Sequence, residues 1–187
     1  ELISTADITP SLVEELGGRL QDNSVDGKSF IRLLKDSSEP LHDYVYGAFT
    51  NCRIIDNRER VYPIRSIRNK RYSLIYNPNY ESKTSNVTLT QALKMIEDAK
   101  TKPKELNPTG SWVAKVSKSK QDKELVHKLH NRDEFELYDL QKDPFEIDNL
   151  AGSPKHQKIQ RELKQALMTK LKELGDGNPI DTEKRFV

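Results

Sequence analysis

The chain is poor in the residues that staple small domains or line reactive centres. Among its 187 residues there is one cysteine, Cys52, so neither an internal disulfide framework nor a multi-cysteine zinc site can form within it. Apolar residues are scarce as well. They make up 34%, against roughly 45–50%, glycine included, for an ordinary domain, so the chain is expected to complete its core against another surface. No run approaches the roughly 18 apolar residues of a membrane helix. Charge of one sign is also lacking, because 31 Lys and Arg against 29 Asp and Glu leave only +2. That balance argues against a general nucleic-acid binder, whose footprint is a marked basic excess. No glycine-rich phosphate loop occurs, and Gly17-Gly18 reads as a helix stop. The chain opens at Glu1 without a charged n-region or apolar h-region, and reads as a processed protein or a piece of a longer one.

What is present falls into alternating helical and extended stretches. Thr9-Pro10 predicts a helix start with Thr9 as N-cap, and Leu12, Val13 and Leu16 then share one face. A second brief helical turn is expected over 29–35. Tyr44–Thr50 is aromatic and β-branched enough for a strand. Tyr62–Arg68 and Arg71–Asn77 alternate and predict a hairpin turning at Asn69-Lys70, with Pro63 marking an edge or bulge. Thr88 to Gln91 fits a capping box ahead of a helix carrying Leu93, Ile96 and Ala99. Lys100 to Lys123 reads as a lysine-rich surface loop around the single Trp112, with a short helix over Lys120–Leu129 after it. Phe135–Leu140 predicts another strand. The clearest element follows Ser153-Pro154: Ile159, Leu163, Ala166, Leu167, Leu171 and Leu174 form one apolar stripe that Gly175 ends. This order predicts an α+β layer, a small antiparallel sheet packed by the long last helix.

The polar residues form no complete catalytic constellation. His42, His127, His130 and His156 fall in no His-Glu-x-x-His pair and read as structural or exposed. Cys52 has no nucleophile signature and reads as a small buried hydrophobe. Asp139 and Asp143 flank the turn former Asp143-Pro144 and are expected to fix it through side-chain to backbone hydrogen bonds. Asn86-Val87-Thr88 is a formal glycosylation triplet whose threonine already has a capping role. Arg53, Arg58, Arg60, Arg65, Arg68 and Arg71 cluster within 20 residues. A guanidinium fork suits sulfate, phosphate or carboxylate. On alternating strands these arginines cannot all face one ligand, however, and most are expected to pair with nearby acids.

Three segments resemble the C-terminal part of type I sulfatases: Glu1–Gly18 (ELISTADITPSLVEELGG), Tyr62–Asn77 (YPIRSIRNKRYSLIYN) and Glu136–Gly152 (ELYDLQKDPFEIDNLAG). The Tyr-Pro-Ile-Arg-Ser hairpin resembles the heparan N-sulfatase (sulfamidase) branch. That branch often carries a histidine ahead of this hairpin, whereas here Phe49-Thr50-Asn51-Cys52 has none, so N-sulfate and O-sulfate substrates both stay open. The resemblance implies that residues 1–40, with their N-terminal helix, are the tail of a large α/β catalytic domain otherwise absent from this chain. Residues 41–187 are then the C-terminal sulfatase subdomain.

In the family a Cys or Ser in a Cys/Ser-x-Pro/Ala-x-Arg motif becomes formylglycine beside a divalent cation, usually calcium. Cys52-Arg53-Ile54-Ile55-Asp56 does not match that motif. The resemblance therefore implies no catalytic or metal-binding residue and no cofactor in this chain, with formylglycine and calcium in the missing domain. It further implies a subdomain that helps shape the substrate end of the cleft, with Asn51, Arg53, Tyr62 and Arg65 as substrate-binding candidates. For Arg65 a structural salt bridge to the large domain is the competing reading. The implied partners are the chain's own catalytic domain and a sulfated glycan such as heparan, with no nucleic acid or membrane. The implied location is periplasmic, secreted or lysosomal. A chain of this kind would be inactive alone. The alternative is a non-catalytic module that keeps the sulfatase tail fold and binds polyanionic glycans.

Overall fold

In a computed structural model the described residues are 1–21, 24–35, 39–49, 62–81, 119–120, 124, 127–128 and 131–179. Two compact units divide the chain: Glu1–Ala48, Arg65–Tyr76 and Phe135–Gly177 form the first, and Phe49–Ile64, Asn77–Glu134 and Asn178–Val187 the second. The described elements are α1 (Ile8–Glu15), α2 (Ile31–Leu34), β1 (Val45–Phe49), β2 (Ile64–Arg68), β3 (Tyr72–Tyr76), β4 (Phe135–Asp139) and α3 (Gln157–Glu173). The strands form one four-stranded sheet in the order β1-β2-β3-β4. The β2–β3 and β3–β4 pairs are antiparallel, with Arg65 opposite Tyr76 and Leu74 opposite Leu137.

The core lies between this sheet and α3. Strand periodicity sends Ile67, Leu74, Phe135 and Leu137 to one face. The i, i+4, i+8 spacing of Leu163, Leu167 and Leu171 lines the helix face that meets them. Each fully buried leucine contributes about 2 kcal/mol of transfer free energy. Tyr76 stacks on Phe135 at 4.9 Å, and the Lys164 ammonium lies 4.1 Å from the Phe135 ring centroid, closing that end of the core. The predicted α+β layer with a long last helix is therefore present.

The N-terminal segment is organised by one carboxylate. Asp7 is fully buried and accepts from the Ser4 N–H (2.7 Å), the Lys28 N–H (2.8 Å) and Nε2 of His42 (2.9 Å). The Ser4 hydroxyl faces the turn in return, completing a capping box. Gly27 makes the long-range bond possible, since a Cβ there would sit 2.0 Å from the Ala6 carbonyl oxygen. In the second unit, Asn77 is buried; its N–H donates to the Glu134 carbonyl (2.8 Å) and its Nδ2 to the Asp133 carbonyl (2.7 Å).

Four local expectations shift. The N-terminal cap is Ser4 with Asp7 rather than Thr9, because a 3-10 turn over Thr5–Asp7 precedes α1 and already satisfies its first donors. Pro10 and Ser11 are buried, whereas Leu12 and Leu16, read as a core-facing stripe with Val13, are exposed. The hairpin turns at Lys70-Arg71, one residue later than expected. Asn69 pairs back to Tyr72, and its Oδ1 accepts from the Arg71 and Tyr72 N–H groups. At the end of the chain's last stripe, Leu174 is exposed. The helix expected after Thr88, the loop around Trp112, the triplet at Asn86 and most of the helix expected from Lys120 lie outside the described residues.

Leu167→Ala is expected to lower stability by about 3 kcal/mol, as for other fully buried leucines, while Leu174→Ala stays within about 0.5 kcal/mol; urea denaturation monitored by circular dichroism measures both. Burial works to raise the Asp7 pKa, but the Lys28 and Ser4 N–H groups and then His42 outweigh it and hold the carboxyl below its usual range. The stability that Asp7 contributes is thus present above the ordinary carboxylate range and lost as pH falls through its depressed value. Asp7→Asn is expected to flatten the acid limb of the stability profile between neutral pH and about pH 2. An unchanged acid limb would show that other carboxylates control it.

Candidate functional site

The arginine the sequence singles out, Arg65, is placed by two local rules. Alternation along β2 puts it on the same side as Ile67, facing α3, and it is 2% exposed. At the far end of α3, Gly175 takes a left-handed conformation (φ 71°). Its N–H bonds the Lys172 carbonyl (3.1 Å) while the Asp176 N–H bonds the Leu171 carbonyl (2.7 Å), the paired bonds of a Schellman cap. This cap turns Asp176 back over the sheet, where its Oδ2 accepts from Arg65 Nε at 2.5 Å. The salt bridge joins residues 111 apart in sequence and lies inside this chain, where the sequence reading placed it against a separate large domain. Removing one partner of such a pair costs about 3–5 kcal/mol, because the other charge is left buried and uncompensated.

A second arginine is committed in the same way. Arg71 donates to Asp139 through Nε (3.2 Å) and Nη2 (2.8 Å), a two-armed contact at the end of β4. The Arg71 donor holds the Asp139 carboxyl below the usual range, and the Arg71 pKa is raised in return. Asp143 fixes the following turn as expected, its Oδ2 accepting from the Ile147 (2.7 Å) and Asp148 (2.8 Å) N–H groups. The turn's Glu146 has a φ of 54°. Asn149 then lies along the outer edge of β4: its Oδ1 accepts from the Leu137 and Ala151 N–H groups, and its Nδ2 donates to the Phe135 carbonyl. The Asn-Leu-Ala run therefore closes a sheet edge that would otherwise present unpaired backbone.

Among the described residues serine, histidine and aspartate meet at Ser11, His42 and Asp7, yet not as a nucleophile and its base. The Ser11 hydroxyl donates to the Asp7 carbonyl (2.6 Å) and accepts from the Phe30 N–H (2.9 Å). It is 2% exposed and is used up by backbone partners. Among the described histidines, His156 lies 3.2 Å from the Ser153 hydroxyl and His127 is exposed. No group of three or more His, Cys, Asp or Glu among the described residues could hold a metal ion. Cys52 does not sit in a formylglycine motif.

Of the four substrate-binding candidates, Asn51 and Arg53 lie outside the described residues, as do Cys52, Arg58, Arg60 and His130. Tyr62 and Arg65 are both buried, and Arg68 is exposed. The sequence reading did not single out Asp7 or Asp176. Ser4-x-x-Asp7 carried a visible capping pattern. Asp176 carried no signal, since its role depends on a partner 111 residues away.

Comparison with known proteins places this arrangement. Residues 113–173 match the family model of N-sulphoglucosamine sulphohydrolase, C-terminal. An ulvan-active sulfatase of Formosa agariphila is 31% identical over 98% of this chain and 33% of its own length. The human N-sulphoglucosamine sulphohydrolase is 25% identical over 88% of this chain and 31% of its length. A solved 2-O GAG sulfatase shares the fold with a TM-score of 0.53 at 20% identity, covering 91% of this chain and 25% of that one. The chain thus spans about a third of the length of these curated relatives. None of the described helices is long and apolar enough to cross a membrane. The hairpin, the β4 turn with its Asn-Leu-Ala edge and the capped last helix thus belong to the sulfatase family, and this chain is a C-terminal sulfatase portion.

Proposed function

We propose that the complete protein removes sulfate from a sulfated carbohydrate and that this chain is its supporting C-terminal portion, inactive alone. The observation that carries this reading is the near end-to-end match of the chain to one third of an ulvan-active sulfatase. In this reading the formylglycine and calcium lie in a catalytic domain formed upstream, with residues 1–40 as the tail of that domain and 41–187 as the subdomain. The substrate is a polysaccharide of the heparan or ulvan kind, bearing N- or O-sulfate, and the enzyme works outside the cytoplasm. Asn51, Arg53, Tyr62 and Arg65 are the residues proposed to serve the substrate end. The pairing of Arg71 with Asp139 weighs against a module that binds polyanions through all of its clustered arginines.

The N-terminal helix supports the partner in this reading. Ile8, Leu12 and Leu16 follow at i, i+4 and i+8 and are 48%, 58% and 85% exposed, with Leu34 of α2 also exposed at 72%. An apolar stripe of this kind, on a chain spanning a third of its relatives, is the surface proposed to pack on the catalytic domain.

Sulfate release from an aryl sulfate and from sulfated heparin disaccharides, with calcium, separates the possibilities. The complete protein is expected to turn over, and residues 1–187 alone are not; turnover by residues 1–187 would overturn the assignment. In the complete protein Arg65→Ala is expected to raise KM about tenfold, equivalent to about 1.4 kcal/mol. Asp176→Asn, which breaks the same pair, should alter stability only. Equal kinetic effects of the two substitutions would make Arg65 a positioning residue. The double substitution Leu12→Ser with Leu16→Ser is expected to lower the melting temperature of the complete protein. In residues 1–187 alone it should leave stability within about 0.5 kcal/mol.

A further inference from the structure

A groove of about 380 Å³ runs between β1 and α3. One wall is aromatic. Tyr44 precedes β1 and Tyr46 lies within it, two residues on, so both point to the same side. The other wall is the polar flank of α3, with Glu162, Gln165, Thr169, Lys170 and Glu173 around the small Ala166. The Tyr44 hydroxyl donates to Glu162 Oε1 at 2.9 Å, which fixes the ring across the groove. Tyr46 is 38% exposed, whereas Tyr44 packs against the core cluster. Burial pushes the Tyr46 phenol up, with Lys170 and Glu173 close enough to act on it.

This combination has a chemical meaning. A pyranose ring offers axial C–H groups on one face and hydroxyls around its rim. A rigid, half-exposed tyrosine ring suits the C–H face, and amide, hydroxyl and carboxylate side chains suit the rim, since each can accept or donate to a sugar hydroxyl. The volume falls in the ordinary range for small-molecule sites, roughly 300–1,000 Å³. Charge narrows the ligand further. Two carboxylates face one ammonium, and that ammonium is already 3.3 Å from Glu173, so a sulfate or uronate here would meet net negative charge.

We infer that the Tyr44–Tyr46 groove on α3 is an accessory carbohydrate subsite that holds an uncharged pyranose unit of a glycan chain. The inference rests on the sulfatase reading only for the presence of glycans; the groove itself is argued from its own walls. Such a site would keep a polysaccharide on the enzyme through a sugar distant from the reacting sulfate, which raises the local concentration of the reacting end.

The test is titration of the complete protein with chitotetraose, a neutral oligosaccharide, by calorimetry and saturation-transfer NMR. Aryl sulfate turnover is followed in parallel. Wild type and Tyr46→Phe are expected to bind alike, and Tyr46→Ala and Gln165→Leu to bind at least about tenfold more weakly, with turnover unchanged in all four proteins. A heparin tetrasaccharide of the same length should give no saturation transfer from Tyr46. Absence of chitotetraose binding by wild type, or equal binding by Tyr46→Ala, would overturn the inference. Tyr46-dependent binding in a protein without aryl sulfatase activity would uphold the groove while removing the sulfatase reading.

Discussion

Burial of one face of α3 on one face of the sheet is the constraint on which the first unit depends. Leu163, Leu167 and Leu171 reach Ile67, Leu74 and Leu137, and these residues come from segments spread across more than a hundred positions. These six are more than half of the eleven buried hydrophobic residues among the described ones. Once α3 is seated, its C-terminal cap is fixed in space and so is Asp176. The Arg65 pair is thus a consequence of core packing, and its energy depends on that packing holding the geometry. The order of causes is apolar stripe, helix position, cap, ion pair.

The high charge content finds its explanation in the same architecture. Acids and bases that look scattered in sequence are drawn into specific partnerships at element ends. Asp7 anchors the N-terminal turn, Asp139 holds Arg71 at the hairpin, and Asp143 and Asn149 shape the crossing from β4 toward α3. Each satisfies backbone or guanidinium donors and so fixes the chain's course at the end of an element. The Asn-Leu-Ala run, which carries much of the family resemblance, has a structural use as an edge cover for β4.

The sheet and α3 form a stable block, with α1 presenting apolar residues outward and β1 offering a groove beside the helix. Under the proposed function a block of this kind braces a catalytic domain, and the groove gives it a second hold on the glycan. One relative is named an ulvan-active sulfatase; for an enzyme acting on a long glycan, as proposed here, a second contact on the substrate is a physical advantage.

Periodicity and capping in the sequence determined the strands at 64–68, 72–76 and 135–139, the long last helix and its glycine stop, and hence the α+β layer. These features are local: they depend on neighbours within one turn or one strand pair. The tertiary structure alone decided which face of α1 is covered, because Leu12 and Leu16 can satisfy the same amphipathic pattern whether or not a partner surface is present. It also decided the partner of Arg65. An arginine among six in a short stretch could pair with any of 29 acids, and only the docking of α3 brings Asp176 to it. The Tyr44–Tyr46 groove was invisible for the same reason, since its two walls lie more than a hundred residues apart and meet only when the helix packs on the sheet.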